Sequence, residues 1–373
     1  MAVPHFLGPL AQRQLRHVIL PGSHDAGLAA PFQQDLNRFS SPAKTITQSA
    51  GVGAQAAAGS RFFDVRIQSI GGTLTSFHTM PNLLGKVPLV KNIKATKTDT
   101  RTFGASGQDF RGILDELRSF VAGTTEFVII RLSHLKDSAE IFTDLWSWIE
   151  DPNNKPHVYT GTGNLATKLV QDLAGRVVLV IEARKFKHQI TPPASVGGGP
   201  RIPGQADGFH HFYQSKGGNL PDVNDGLCVC GEFSNKKTLD DILKKQIHNY
   251  AEHDQHKNHR GSQAHLYSLY WTATGGDIAT NTASELTLAN FKKVRELVHK
   301  TTSDNWGKKL QANHDRLLGG NSSLPLGDEL RLENRARTKF AVKSASIPNI
   351  ILYDFINDGT SQAIIDLNTL VAS

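Results

Sequence analysis

The sequence predicts an α/β fold: an irregular (β/α)8 TIM barrel built as a single domain over residues 1–373. Three observations predict it. Eight short apolar runs recur along the chain. Several of them are continuous rather than alternating, the pattern of parallel strands covered on both faces. Amphipathic segments lie between the later runs, so strands and helices interleave.

The runs are HVIL (17–20), RFFDVRI (61–67), TLTSFH (73–78), EFVIIRLS (126–133), RVVLVIE (176–182), GLCVCGE (226–232), HLYSLYWT (265–272) and NIILYDFI (349–356). Residues 111–121 and 138–149 read as helices. Residues 238–250 place Leu239, Ile242, Leu243, Ile247 and Tyr250 on one stripe behind Thr238 as N-cap. Residues 284–299 repeat the pattern with Leu288, Phe291, Val294, Leu297 and Val298. Only Gly71-Gly72 separates the second and third runs, too little for a crossover helix, so the barrel is irregular early on. The Gly/Pro-rich stretches 191–207 and 317–328 read as excursions between barrel elements.

A formal charge of +7 with sixteen histidines favours anionic partners. Apart from HDQHKNHR (253–260) and ARKFKH (183–188), basic residues are dispersed, and those two clusters read first as solvated surface. No apolar run approaches the ~18–20 residues of a membrane helix. The N-terminal stretch lacks the basic start and apolar centre of a signal peptide, so the chain is either not exported that way or is a mature form. Cys228 and Cys230, two apart on one strand face, are badly placed for a mutual disulfide and read as small buried apolar residues. No C-x-x-C or H-E-x-x-H is present, which argues against zinc. GVGAQA (51–56) matches a dinucleotide glycine pattern but precedes a strand instead of following one.

Four strand-like runs carry polar residues at or just past their carboxyl ends: His24-Asp25, Asp64 with Arg66, His78, and Asp354. Each has an ordinary explanation alone: a turn, a rim ion pair, a hydrogen-bonded core histidine, a helix cap. Barrel active sites gather at the carboxyl ends of strands, however, and in a closed ring the last strand neighbours the first. His24 and Asp354 are then adjacent despite their separation in sequence. Burying such groups is costly, which directs attention to function.

LPGSHDAG, AAAGSRFFDVRI, a histidine about a dozen residues on and the late PNIILYDFIND together resemble the X-domain of phosphatidylinositol-specific phospholipases C. The bacterial, metal-independent type is the nearest in pattern, and the likeness runs from about residue 15 to the end. It implies an enzyme that cleaves phosphatidylinositol to diacylglycerol and inositol 1,2-cyclic phosphate, with no cofactor. His24 would be the general base held by Asp354, and His78 the general acid supported by Asp25. Arg66 would stabilise the phosphate where calcium-dependent relatives carry a carboxylate, so no metal is expected. Asp64 would orient Arg66 or its neighbours, and either Glu182 or Arg184 would contact the inositol. The resemblance further implies secretion, a monomer, an anionic phospholipid substrate met at a membrane surface, and no nucleic acid. Within MPNLLGKVPLV (80–90), a bilayer-dipping rim and ordinary packing remain equal readings. Other lipid or glycerophosphodiesters, or lipid binding without turnover, are the alternatives.

Overall fold

Consecutive residues along the barrel strands enter two different cores. Phe63, Val65, Val128, Ile130, Val177 and Leu179 pack outward against helices, whereas Phe62, Ile129, Val178, Val180, Leu227, Val229 and Leu352 fill the interior. Two buried faces with a side-chain period of two require apolar residues at every position, hence the unbroken runs. A computed structural model describes residues 5–32, 34–35, 45–70, 72–79, 104–135, 138–182, 185, 189–215, 224–233, 245–246, 249, 264–272, 349–366 and 368. The helices expected at 238–250 and 284–299, and the excursion at 317–328, lie wholly or mostly outside these residues.

Eleven strands are described: β1 (Leu20–Ser23), β2 (Gln34–Asp35), β3 (Phe62–Ile70), β4 (Thr73–Thr79), β5 (Gly104–Asp109), β6 (Val128–Ser133), β7 (Val177–Glu182), β8 (Phe209–Ser215), β9 (Leu227–Cys230), β10 (Leu266–Trp271) and β11 (Ile350–Tyr353). Eight of them form a closed parallel ring in the order β1-β11-β10-β9-β8-β7-β6-β3, and β1 pairs with β3 to close it. The barrel prediction holds. Its strand count holds through two errors that cancel.

The run at 73–78 is β4, and it lies outside the ring. The far half of β3 leaves the barrel and pairs antiparallel with β4, which pairs with β5, which pairs with β2. Gly72, at φ 84°, makes the tight reversal between β3 and β4. The missing barrel strand is β8, whose sequence FHHFYQS carries too many polar residues to read as core. His210 is nevertheless fully buried there. Its Nε2 lies 3.0 Å from the Tyr159 carbonyl, Gln205 reaches its Nδ1 at 3.3 Å, and Tyr159 stacks on the ring. A satisfied buried imidazole carries little penalty.

The helices 111–121 and 138–149 expected from the sequence are α2 (Phe110–Ala122) and α3 (Ser138–Ile149); GVGAQA falls in a short helix, α1 (Val52–Ala57). Asp109 caps α2 by accepting the Gly112 N–H at 2.7 Å. Phe110, Ile113, Leu114, Leu117 and Val121 then face the barrel. On α3, Phe142 and Trp146 contact Phe209, which anchors the start of β8. Both cysteines are buried and free of disulfide bonds. No described helix is long and apolar enough to cross a membrane.

The amino end of the barrel is closed by Phe6, Leu7, Leu10 and Leu15, pinned through a buried ion pair. Arg61 Nε donates to Glu126 Oε2 at 2.7 Å, and its Nη1 donates to the Ala56 and Ser60 carbonyls at 2.8 Å. The Leu7 N–H donates to the other Glu126 oxygen, and the Phe6 and Phe120 rings sandwich the guanidinium. Removing one partner leaves a buried charge uncompensated. Glu126→Ala is therefore expected to lower stability by about 3–5 kcal/mol in urea unfolding, and a loss below about 1 kcal/mol would show that water reaches this end.

Candidate active site

At the carboxyl end of the ring the inward-facing positions change from apolar to polar. His24 continues the inward side of β1, and Asp354 that of β11. Asp64 and Arg66 stand on β3 opposite Arg131 and Ser133 of β6. All except Arg66, which is partly exposed, are buried, so their charges face one another through little water.

The His24 Nδ1 lies 2.8 Å from Asp354 Oδ1, across 330 residues of sequence. That contact assigns the Nδ1 proton and leaves Nε2 on the side of Asp25. Asp25 lies next to it, with Oδ2 3.6 Å from His24 Nε2 and 3.5 Å from His78 Nε2. Arg66 Nε approaches Asp25 Oδ1 to 2.6 Å, but without the alignment of a hydrogen bond. Asp64 Oδ1 accepts from Ser133 Oγ at 2.8 Å and lies 3.7 Å from Arg131 Nε. The structure thus brings His24, Asp25, Asp64, Arg66, His78 and Asp354 into one cluster. Glu182 stands half-buried at the end of β7, close enough to help raise the Arg131 pKa. Arg184 lies outside the described residues.

Two connections hold the arrangement. Gln48 donates to the His24 and Tyr353 carbonyls, both at 2.9 Å, and accepts from the Ile356 N–H at 3.1 Å. Thr47 Oγ1 donates to the Asp25 carbonyl, and its own carbonyl accepts from Phe355. The ends of β1 and β11 are thereby tied by a strap at 47–48. Asp25, His134 and Phe355 adopt left-handed φ values of 42°, 50° and 56° just past β1, β6 and β11. Strain in non-glycine residues at three strand ends marks this rim as the place where geometry was held against backbone preference.

The second connection carries His78. The outer sheet meets the loop after β1 through small residues: Ser76 Oγ and the Gln108 N–H both donate to the Gly27 carbonyl at 2.9 Å. A Cβ on Gly107 would stand 2.1 Å from that oxygen. Only close backbone approach lets β4 lean over the barrel mouth and reach Asp25 with His78.

Burial alone would depress the His24 pKa, but Asp25 and Asp354 outweigh it and raise the value above 6.5. For His78 desolvation prevails over Asp25, and the ring is pushed down to about 4. Burial opposes ionisation of Asp25, yet Arg66 and the neighbouring histidines hold its pKa below the usual range. His24, Asp25 and Asp64 also present ligand atoms within 4.8 Å of one another, the described residues best placed to hold a cation.

Sequence reasoning missed three contributors. Arg131 is buried inside the barrel, donating to Tyr270 and Gln214 at 3.1 and 2.8 Å over the Phe212 face. A lone charge in the otherwise apolar VIIRLS was the available signal. Gln48 lies in a stretch with no periodicity to reveal it. Phe233 places its ring 5.2 Å from His24 and 4.3 Å from Tyr270, walling one side of the site.

No protein-family model and no curated protein matches the chain. Solved structures do. The chain is similar to the phosphatidylinositol-specific phospholipase C from Listeria monocytogenes, with a TM-score of 0.52 and 14% identity over 98% of each chain. It is also similar to a Staphylococcus aureus phosphatidylinositol-specific phospholipase C studied for its membrane binding, with a TM-score of 0.50 and 14% identity over 95% of this chain and 94% of that one. The closed barrel with its outer strands is therefore the fold of the bacterial phosphatidylinositol-specific phospholipases C.

Proposed function

We propose that this chain is a phosphatidylinositol phospholipase C, a lyase that works by proton transfer between two histidines. The observation that carries the reading is the buried His24–Asp354 pair facing His78 across Asp25 and Arg66. A histidine pair at a carboxylate-lined cleft is the equipment for moving one proton on and another off a phosphodiester. The shared fold supports the same class of reaction.

In the proposed step His24 Nε2 removes the proton of the inositol 2-hydroxyl. The freed oxygen bonds to the adjacent phosphorus, and the bond to the diacylglycerol oxygen breaks. His78 protonates that leaving oxygen. The products are inositol 1,2-cyclic phosphate and diacylglycerol. Arg66 meets the charge on the non-bridging oxygens, and Asp354 stabilises the imidazolium as it forms. Asp25 stays ionised between the two histidines and holds them in a common field. Asp64, braced by Ser133 and Arg131, keeps the floor under Arg66 rigid. Either Glu182, at the end of β7, or Arg184 is the proposed contact to the inositol ring. The guanidinium of Arg66 supplies the positive charge, so the reaction is proposed to need no metal. The substrate is met from a membrane surface by a peripheral monomer.

Phosphorus NMR of the products tests this directly. Phosphatidylinositol should give a cyclic phosphate signal with wild type, at an undiminished rate in excess chelator. His24→Ala should lower the rate by at least about 10²–10⁴-fold, the usual worth of a general base. Unchanged turnover by the variant removes His24 from the mechanism; loss in chelator that calcium restores removes Arg66 from its role.

A pH profile provides a second test. The productive state has His24 neutral and His78 protonated, one proton shared between two rings. Its population is flat between the two pKa values and falls outside them. With His78 at about 4 and His24 raised above 6.5, kcat/KM should be bell-shaped with an alkaline limb above 6.5. An alkaline limb below 6.5 contradicts the assignment. A bound phosphodiester, bringing negative charge to His78, should raise the acid limb in kcat relative to kcat/KM.

A further inference from the structure

We propose that the contact of Ser76, Gly107 and Gln108 with the Gly27 carbonyl sets where His78 delivers its proton. These are positioning residues: they act on the leaving group through His78 and not on the attack that His24 promotes. This role rests on the reaction proposed above.

His78 needs such a contact because nothing grips its ring. The His24 ring is held by Asp354 at 2.8 Å. His78 Nδ1, in contrast, is buried without a hydrogen-bond partner, and its Nε2 lies 3.5 Å from Asp25 Oδ2. The backbone of β4 has to place the ring, and there β4 has already parted from β3. Their pairing reaches Ile67 and Ser76, whereas His78 pairs with Ala105 of β5. Just before His78 stands a β-bulge. Between the pairs Thr75–Asp109 and Phe77–Ser106, the single residue Ser76 faces both Gly107 and Gln108. Bulges re-aim the side chains beyond them and recur beside active sites. Both edges of this one close on a single atom, since Ser76 Oγ and the Gln108 N–H donate to the Gly27 carbonyl. Gly27 is two residues past Asp25, so the outer sheet is gauged against the loop that carries His24 and Asp25. A Cβ on Gly107 would run into that carbonyl, which is backbone and cannot swing aside. Gly107→Ala should therefore lift β4 and β5, and His78 with them. His24 would stay, tied through Gln48 to β11.

Two substrates separate the roles. In phosphatidylinositol the phosphorus–oxygen bond to glycerol breaks as that oxygen takes the His78 proton. In the p-nitrophenyl phosphodiester of inositol the 2-oxygen attacks in the same way, but nitrophenolate leaves with the bonding electron pair and needs no proton. Gly107→Ala should slow the lipid reaction by at least about 10²-fold, the usual worth of a positioned acid, and the nitrophenyl reaction only slightly. In a His78→Ala background it should add almost nothing, because a residue acting through His78 has nothing left to act on. Ser76→Ala, which removes one hydrogen bond and adds no bulk, should show the same split at smaller size; circular dichroism checks each fold. NMR titration gives a readout without turnover: in Gly107→Ala the His78 pKa should rise from about 4 toward 6.5, with His24 still above 6.5. Equal losses on both substrates, an undiminished lipid rate, an additive loss in the double variant or an unmoved His78 pKa would overturn the role. A wild type that cleaves neither substrate would refute the proposed reaction instead, and the His78 titration would still decide whether this contact places the ring.

Discussion

The parallel pairing of β1 with both β3 and β11 is the constraint on which everything at the barrel mouth depends. It is formed by an unremarkable segment, LPGS, whose Gly22 lies so close to Leu352 that a Cβ would meet its side chain at 2.9 Å. From this register follow the neighbours of His24: Asp354 one strand away on one side, Asp64 one strand away on the other. A shift of one residue would turn every one of these side chains outward. The strap at 47–48 bonds to backbone atoms on both strand ends, so the register is held at the place where it matters for chemistry.

Charge balance is the second organising effect. Three carboxylates, Asp25, Asp64 and Asp354, lie buried near two guanidinium groups and two imidazoles. Isolated, any one of them would be driven toward its neutral form. Arg66 and the neighbouring histidines hold Asp25 ionised, and the imidazoles adjust. The histidine gripped by two carboxylates gains affinity for a proton, while the one on β4, desolvated where the outer sheet meets the barrel mouth, loses it.

Much of this was legible in the sequence because it is written in strand-end positions. Continuous apolar runs announced two-sided burial, and a polar residue at the end of such a run is hard to explain by packing alone. Ring closure then placed His24 beside Asp354 without any coordinate. What the sequence concealed has physical causes. His210 and His211 disguised β8, since a buried histidine satisfied by a carbonyl looks polar only to a reader of residue types. β4 looked like a barrel strand because an antiparallel hairpin leg has the same period of two as a parallel strand. Gln48 and the Gly27–Gly107 contact act through backbone proximity, which no local pattern encodes.

The account stands most directly on the contact between His24 and Asp354. Following the His24 imidazole by NMR through a pH titration, in wild type and in Asp354→Asn, tests it with no assumption about substrate. The structure predicts a pKa above 6.5 in wild type, because Asp25 and Asp354 together outweigh desolvation, and a lower value once one of those carboxylates is neutralised. A wild-type value at or below 6.5, or one that Asp354→Asn leaves unmoved, would contradict it.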